Sequence, residues 1–183
     1  MTPVEQWQLS VIDEHGDTVV AGDCMRACVA SLFELPLLEV PHFVEHENWW
    51  QLWAEWLAAR NLRLGNAYVS LDEDDPTVLN GWPGDIWWLA SVRSPRFKTR
   101  CSHCKGTART DLTYPESGPS IRHDPSIACP YCDGGLSPGL HLVVMFGREI
   151  RWDPHPQREL GHLGFVDGWE FRVIDPAKTA VGT

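Results

Sequence analysis

Apolar and polar positions first alternate near the start of the chain, where Trp7, Leu9 and Val11 are separated by polar neighbours. Asp13-Glu14-His15-Gly16-Asp17 supplies turn residues, and Thr18-Val19-Val20 resumes an extended pattern. Residues 7–20 therefore predict a hairpin of two short strands. After Gly22-Asp23 the period changes. Cys24, Ala27, Cys28 and Leu32 fall on one face of a helix running to Phe33, with Asp23 suited to cap its start. A second helix is predicted over 48–60, where Trp49, Leu52, Trp53, Trp56 and Leu57 form a wide apolar face. Asn48 and Gln51 have the spacing of a capping box.

Residues 66–85 read as turn-rich, with a solvated acidic loop at Asp72-Glu73-Asp74-Asp75-Pro76. Asp85 to Val92 reads as a buried strand. Periodicity then fails from 93 to 139, a stretch rich in Gly and Pro that holds four of the six cysteines. Regular alternation returns at His141 to Phe146, turns at Gly147-Arg148, and comes back over Glu149 to Trp152. Trp169 to Ile174 gives one more strand. Helices in the first half and antiparallel strands in the second predict an α+β chain, one domain over 1–183 with an insertion at 93–139.

Composition narrows the function classes. The formal net charge is −10, which disfavours non-specific binding of nucleic acid. No apolar run approaches the roughly 18 residues that would span a bilayer. The N-terminal residues lack a basic stretch followed by an apolar one, so a cytoplasmic location is expected. Ten tryptophans supply bulky core residues; core packing is the expectation, with a lipid, glycan or peptide groove lined by some of them as the alternative.

Two motifs carry chemistry. Cys101-Ser102-His103-Cys104 and Cys129-Pro130-Tyr131-Cys132 are two CxxC pairs, the spacing of a closed four-thiolate zinc site. Glycines after each pair let backbone N–H groups turn toward the sulfurs. The insertion has too little apolar material for a core, so a structural Zn2+ would supply its folding energy. Disulfides or redox-active pairs are the alternatives, and His103 and His123 are spare donors better read as surface residues. The same stretch carries Arg93, Arg96, Lys98, Arg100, Lys105 and Arg109, either a solvated run or a docking surface for an acidic macromolecule over 93–109.

The second motif is Cys24 as the first residue of a helix, where unpaired amides and the helix dipole favour a thiolate. His141, opening a strand after Ser137-Pro138-Gly139-Leu140, suits a general base, and Asp153 in Trp152-Asp153-Pro154 suits its orienting carboxylate. Cys28, one turn beyond Cys24, reads as core.

The block Gly22-Asp23-Cys24-Met25-Arg26-Ala27-Cys28-Val29-Ala30-Ser31-Leu32-Phe33, with Leu35-Pro36 and Val40-Pro41, resembles the nucleophile helix of small papain-like proteins. These are related to the bacteriocin-processing, double-glycine cysteine peptidases and are common in phages and bacteria. Leu140-His141-Leu142-Val143-Val144-Met145, then Trp152-Asp153-Pro154-His155-Pro156, is similar to their histidine strand and Asp-Pro segment. The resemblance covers roughly residues 20–60 and 138–160. It implies a papain-like fold with a nucleophile helix against a C-terminal antiparallel sheet, and a triad of Cys24, His141 and Asp153. Such enzymes usually place a Gln shortly before the Cys to build the oxyanion hole. Asp17-Thr18-Val19-Val20-Ala21 holds none, so Gln6 or Gln8 would have to reach the site from an earlier strand.

The expected activity is cysteine-dependent hydrolysis or acyl transfer on a peptide or small amide. The alternative is a non-catalytic papain-fold binding module using the knuckle and its basic segment. A zinc-dependent nucleic-acid protein with Cys24 merely buried is a third class, against which the net charge weighs.

Overall fold

Alternating apolar residues in two long strands set the architecture. The computed structural model describes residues 1–69, 84–101, 104–108, 113, 114, 122, 123, 128, 129, 132–163 and 165–173. Strands β1 (Val11–Ile12) and β2 (Thr18–Val20) form a small hairpin, followed by helices α1 (Cys24–Phe33) and α2 (Trp49–Ala58). Strands β3 (Leu62–Val69), β4 (Trp87–Arg100), β7 (Leu136–Phe146), β8 (Glu149–Trp152) and β9 (Phe165–Val173) build one antiparallel sheet. Its order is β3-β9-β4-β7-β8. Between β4 and β7, β5 (Thr113–Tyr114) and β6 (Arg122–His123) pair with each other.

In β4 and β7 successive side chains take opposite faces, as the pleat requires. Leu89 and Val144 join the buried cluster of α1 residues Met25, Ala27, Cys28, Val29 and Ala30 with Trp53 and Leu57 of α2. Their neighbours Trp88, Ala90, Val92, Val143 and Met145 form a second buried cluster. Trp88 donates its indole N–H to Gly147 O at 2.8 Å. Its ring lies against Gly168 of β9, where a Cβ would collide with it. The mixed helix-and-antiparallel-sheet expectation is met, and α1 packs directly on β7, with the Cys28 thiol donating to Leu142 O at 3.2 Å.

Several local expectations are corrected. Asp23 starts α1 but its side chain makes no capping bond. Its carboxylate instead accepts the backbone N–H groups of Trp7 at 3.3 Å and Gln8 at 3.0 Å, and its own N–H donates to Gln8 O. Residues 7–10 are thereby fastened beside α1 rather than paired as a strand, and only Val11–Ile12 pair with β2. The capping box at α2 does not form either; Gln51 donates to Glu55 one turn on. Strand β3 falls where the sequence read as helix end and turns, because Gly65-Asn66 interrupts the alternation and sits at a register shift against β9. Strand β4 likewise continues past Val92 to Arg100, across an irregularity between Ser94 and Lys98 that absorbs Pro95. His141 consequently lies inside β7, opposite Val92, rather than at a strand start. The acidic run at 72–76 lies outside the described residues.

The buried Asp23 carboxylate holds two amides at once. Asp23→Ala is expected to lower stability by about 2 kcal/mol, with Asp23→Asn costing less because one acceptor oxygen remains. Urea unfolding midpoints of the three proteins check this.

Candidate active site

Cys24 sits at the first position of α1, where helix N–H groups lack intrahelical partners, and it is partly exposed. The packing of α1 on β7 brings it to His141. The imidazole is buried, and its Nε2 lies 2.7 Å from Asp153 Oδ1. An ionised carboxylate only accepts, so Nε2 carries the proton and donates to it. Nδ1 is left free by this bond, and Cys24 lines the same cleft as the ring, near enough to raise its pKa. The three residues expected to act together are therefore brought together.

The electrostatics follow from this order. Burial alone would lower the His141 pKa, but the hydrogen bonds to Asp153 and Cys24, together with their charges, outweigh it and raise it from 6.5 to about 9. Burial works against ionisation of Asp153 as well. Its bond and charge interaction with His141, the His155 backbone N–H at 2.9 Å and the Arg96 guanidinium bring its pKa down to about 2. Cys28 is held as a neutral thiol, pushed well up by burial and then by the charges of Cys24 and Asp153. It is a core residue, as expected.

A cleft of about 140 Å³ opens beside the triad, lined among others by Gln6, Leu9, Arg96, Phe97 and Leu140 together with Cys24 and His141. Gln6, one of the two glutamines considered from the N-terminal segment, reaches this cleft. Its backbone N–H donates to Pro154 O at 3.1 Å, tying it to the Asp153 segment, and its Nε2 donates one hydrogen to Gln8 O at 3.2 Å. The second Nε2 hydrogen remains for a ligand. Gln8 turns away, donating to Ala21 O at 2.7 Å and to Glu45.

Arg96 was read from sequence only as one charge of a basic run. It is instead buried at the site, 2% exposed, with Nη2 2.7 Å from Asp153 Oδ2 and Nε donating to Gln157 O at 3.0 Å. No local pattern marks it, since its partners arrive from a segment beyond the insertion. Lys98 and Arg100 also meet carboxylates of this chain, Asp133 at 3.5 Å and Asp17 at 2.6 Å. Three of the six cations expected to face a partner thus have partners within the chain, while Arg109 lies outside the described residues.

At the tip of the β4–β7 pair, the sulfurs of Cys101, Cys104, Cys129 and Cys132 all lie within 4.8 Å of one another. Cys101–Cys129 and Cys104–Cys132 are 4.0 and 3.6 Å apart, and all six cysteines are free, so the disulfide alternative is not realised. Four thiolates around one tetrahedral ion with ~2.3 Å bonds would be ~3.8 Å apart. The two facing thiols split: burial opposes ionisation of Cys104, but its bond to Cys132 and the N–H groups of Gly106 and Ala108 lower its pKa, while burial and the bonds to Cys104 and Cys129 raise that of Cys132. The four cysteines are thus compatible with a metal site. His103 and the His123 side chain lie outside the described residues. The knuckle is fastened to the rest by Cys101 N–H donating to Gly135 O and by Arg100, whose N–H donates to Gly16 O at 2.7 Å. Among the described residues, no helix is long and apolar enough to cross a membrane.

The His141–Asp153 pair has a pH signature. His141, with a folded pKa above its unfolded one, contributes stability that is complete below about 6.5 and lost as pH rises through about 9. Asp153 contributes stability present above about 3.8 and lost as pH falls toward about 2. Asp153→Ala leaves His141 and Arg96 buried without their carboxylate and is expected to cost about 3 kcal/mol at pH 6. Denaturant unfolding across pH 6–9 should show wild-type stability falling in that window while the variant's changes less. Comparison with family models, with curated proteins and with solved structures finds no match, and the functional reading therefore rests on this geometry.

Proposed function

We propose that the chain is a papain-like thiol hydrolase or acyl transferase acting on an amide or related acyl carbon. The observation that carries this reading is Cys24 at a helix N-terminus against an imidazole whose other nitrogen is fixed by a carboxylate 2.7 Å away. His141 takes the Cys24 proton, and the thiolate attacks the carbonyl carbon to form a C–S bond. The oxyanion is met by the Cys24 backbone N–H and the free Nε2 hydrogen of Gln6. Collapse breaks the bond to the leaving nitrogen, which receives its proton from the His141 imidazolium. Water, or an acceptor amine in transfer, gives a proton back to His141 as it attacks the thioester and releases Cys24. Asp153 keeps the ring's Nδ1 aimed at the sulfur throughout.

Gln6, lining the cleft with Cys24, supports the hydrolase reading over a binding-only module, because it offers the oxyanion donor that the stretch before Cys24 lacks. Zinc is the ion that Cys101, Cys104, Cys129 and Cys132 would hold, since four thiolates in a closed set suit it and leave no open position for catalysis. Its role is structural. It fixes the tip of the β4–β7 pair, whose middle carries His141 and Arg96.

Two measurements check this reading. The rate of Cys24 alkylation by iodoacetamide at neutral pH, followed by peptide mass spectrometry, should exceed that of an ordinary exposed thiol. His141→Ala should slow it about tenfold or more, and an ordinary rate unchanged by His141→Ala would remove the case for catalysis. Native mass spectrometry of the purified protein should find about one zinc per chain, lost in Cys101→Ser/Cys129→Ser. A metal-free wild type under conditions that retain bound zinc would overturn the assignment.

A further inference from the structure

Arg96 has more donors than the triad uses. Its Nη2 and Nε are taken by Asp153 and Gln157, but Nη1 is buried with no hydrogen-bond partner. An unpaired N–H on a buried guanidinium is costly, and the cost is recovered when an acceptor arrives. Arg96 lines the cleft beside Cys24 and His141, and so does Gln6. Gln6 Oε1 is also buried without a partner, but as an acceptor it does not serve an anion, so the Arg96 Nη1 donor carries the inference.

The surroundings favour an anion. The chain carries a formal charge of −10, yet no aspartate or glutamate lines this cleft among the described residues. Asp153 reaches the site from behind, with both oxygens already committed to His141, Arg96 and the His155 N–H. His155 adds a donor. Its Nδ1 accepts the Gln157 N–H at 3.0 Å, so the neutral ring carries its proton on Nε2. Leu9, Phe97 and Leu140 add apolar wall beside the polar Ser10 and Gln157, and by excluding water would strengthen a charge-assisted bond.

We propose that this cleft selects acyl substrates bearing a free carboxylate close to the scissile carbonyl, with Arg96 Nη1 as the principal recognition group. The inference rests on the thiol-hydrolase reading for what happens to the substrate, but the binding of the carboxylate does not need the thiol. One carboxylate, that of Asp153, separates Arg96 from His141, so a substrate anion on Arg96 lies near the reacting atoms. A peptide's terminal carboxylate and an acidic side chain offer the same chemistry.

Calorimetry on the zinc-loaded Cys24→Ala protein tests the proposal without catalysis. The probes are N-acetylglycine, N-acetylglycinamide and the α-amide of N-acetylglutamate. One of the two carboxylates should bind about tenfold or more tightly than the neutral amide, as expected of a hydrogen bond to a charged group. The tighter of the two identifies a terminal or a side-chain anion. In Arg96→Lys, which keeps the charge beside Asp153, and in Arg96→Met, the preference should shrink to about twofold or less. Equal binding of all three probes to the Arg96 protein, or a carboxylate preference that survives both substitutions, overturns the proposal. Cys24 alkylation that proves ordinary would instead overturn the hydrolase reading and leave this binding result standing.

Discussion

The pairing of β4 with β7 is the constraint on which the rest depends. It is the longest ladder of the sheet, and it carries three kinds of residue at three heights. At its base, Leu89 with Val144 and Trp88 with Met145 bury both faces of the sheet. Midway, Val92 holds His141 in register, and the irregularity after Ser94 lets Arg96 turn toward Asp153. At its tip stand the four cysteines. A slip of one residue would invert the faces and take His141 out of register with Val92. The core, the base and the metal-compatible cluster are therefore not independent features. Each fixes the register that the others need.

Along the site the Asp153 carboxylate lies between the His141 imidazole and the Arg96 guanidinium. Each member is stabilised by its neighbour, which is why a buried histidine is shifted upward and a half-buried aspartate downward despite burial opposing both. The arrangement costs little only while complete, since removing any one member strands a buried charge. The N-terminal segment closes the other side. Asp23 fastens Trp7 and Gln8 next to Cys24, and Gln6 docks on Pro154, so the residue before Cys24 and the residue after Asp153 are both held by the same short stretch.

Much of this was legible in the residues because some signals are local. A helix opening on Cys24, alternation over His141 to Phe146 and two CxxC pairs each state their meaning within a few positions. What was not legible depends on distant partners. Asp23 looks like a cap, and only the presence of Trp7 and Gln8 amides redirects its carboxylate. Gly65-Asn66 and Pro95 look like strand breakers, and only their pairing partners turn them into irregularities within longer strands. Arg96 looks like one cation among six, because Asp153 and Gln157 lie far along the chain from it.

The central claim is that His141 is held charged between Cys24 and Asp153, and nitrogen NMR of the imidazole tests it most directly. The account predicts that His141 in the wild-type protein titrates near pH 9, with Nε2 protonated throughout, and that its pKa falls in Cys24→Ala. A His141 that titrates near the ordinary 6.5, unmoved by the loss of Cys24, would contradict it.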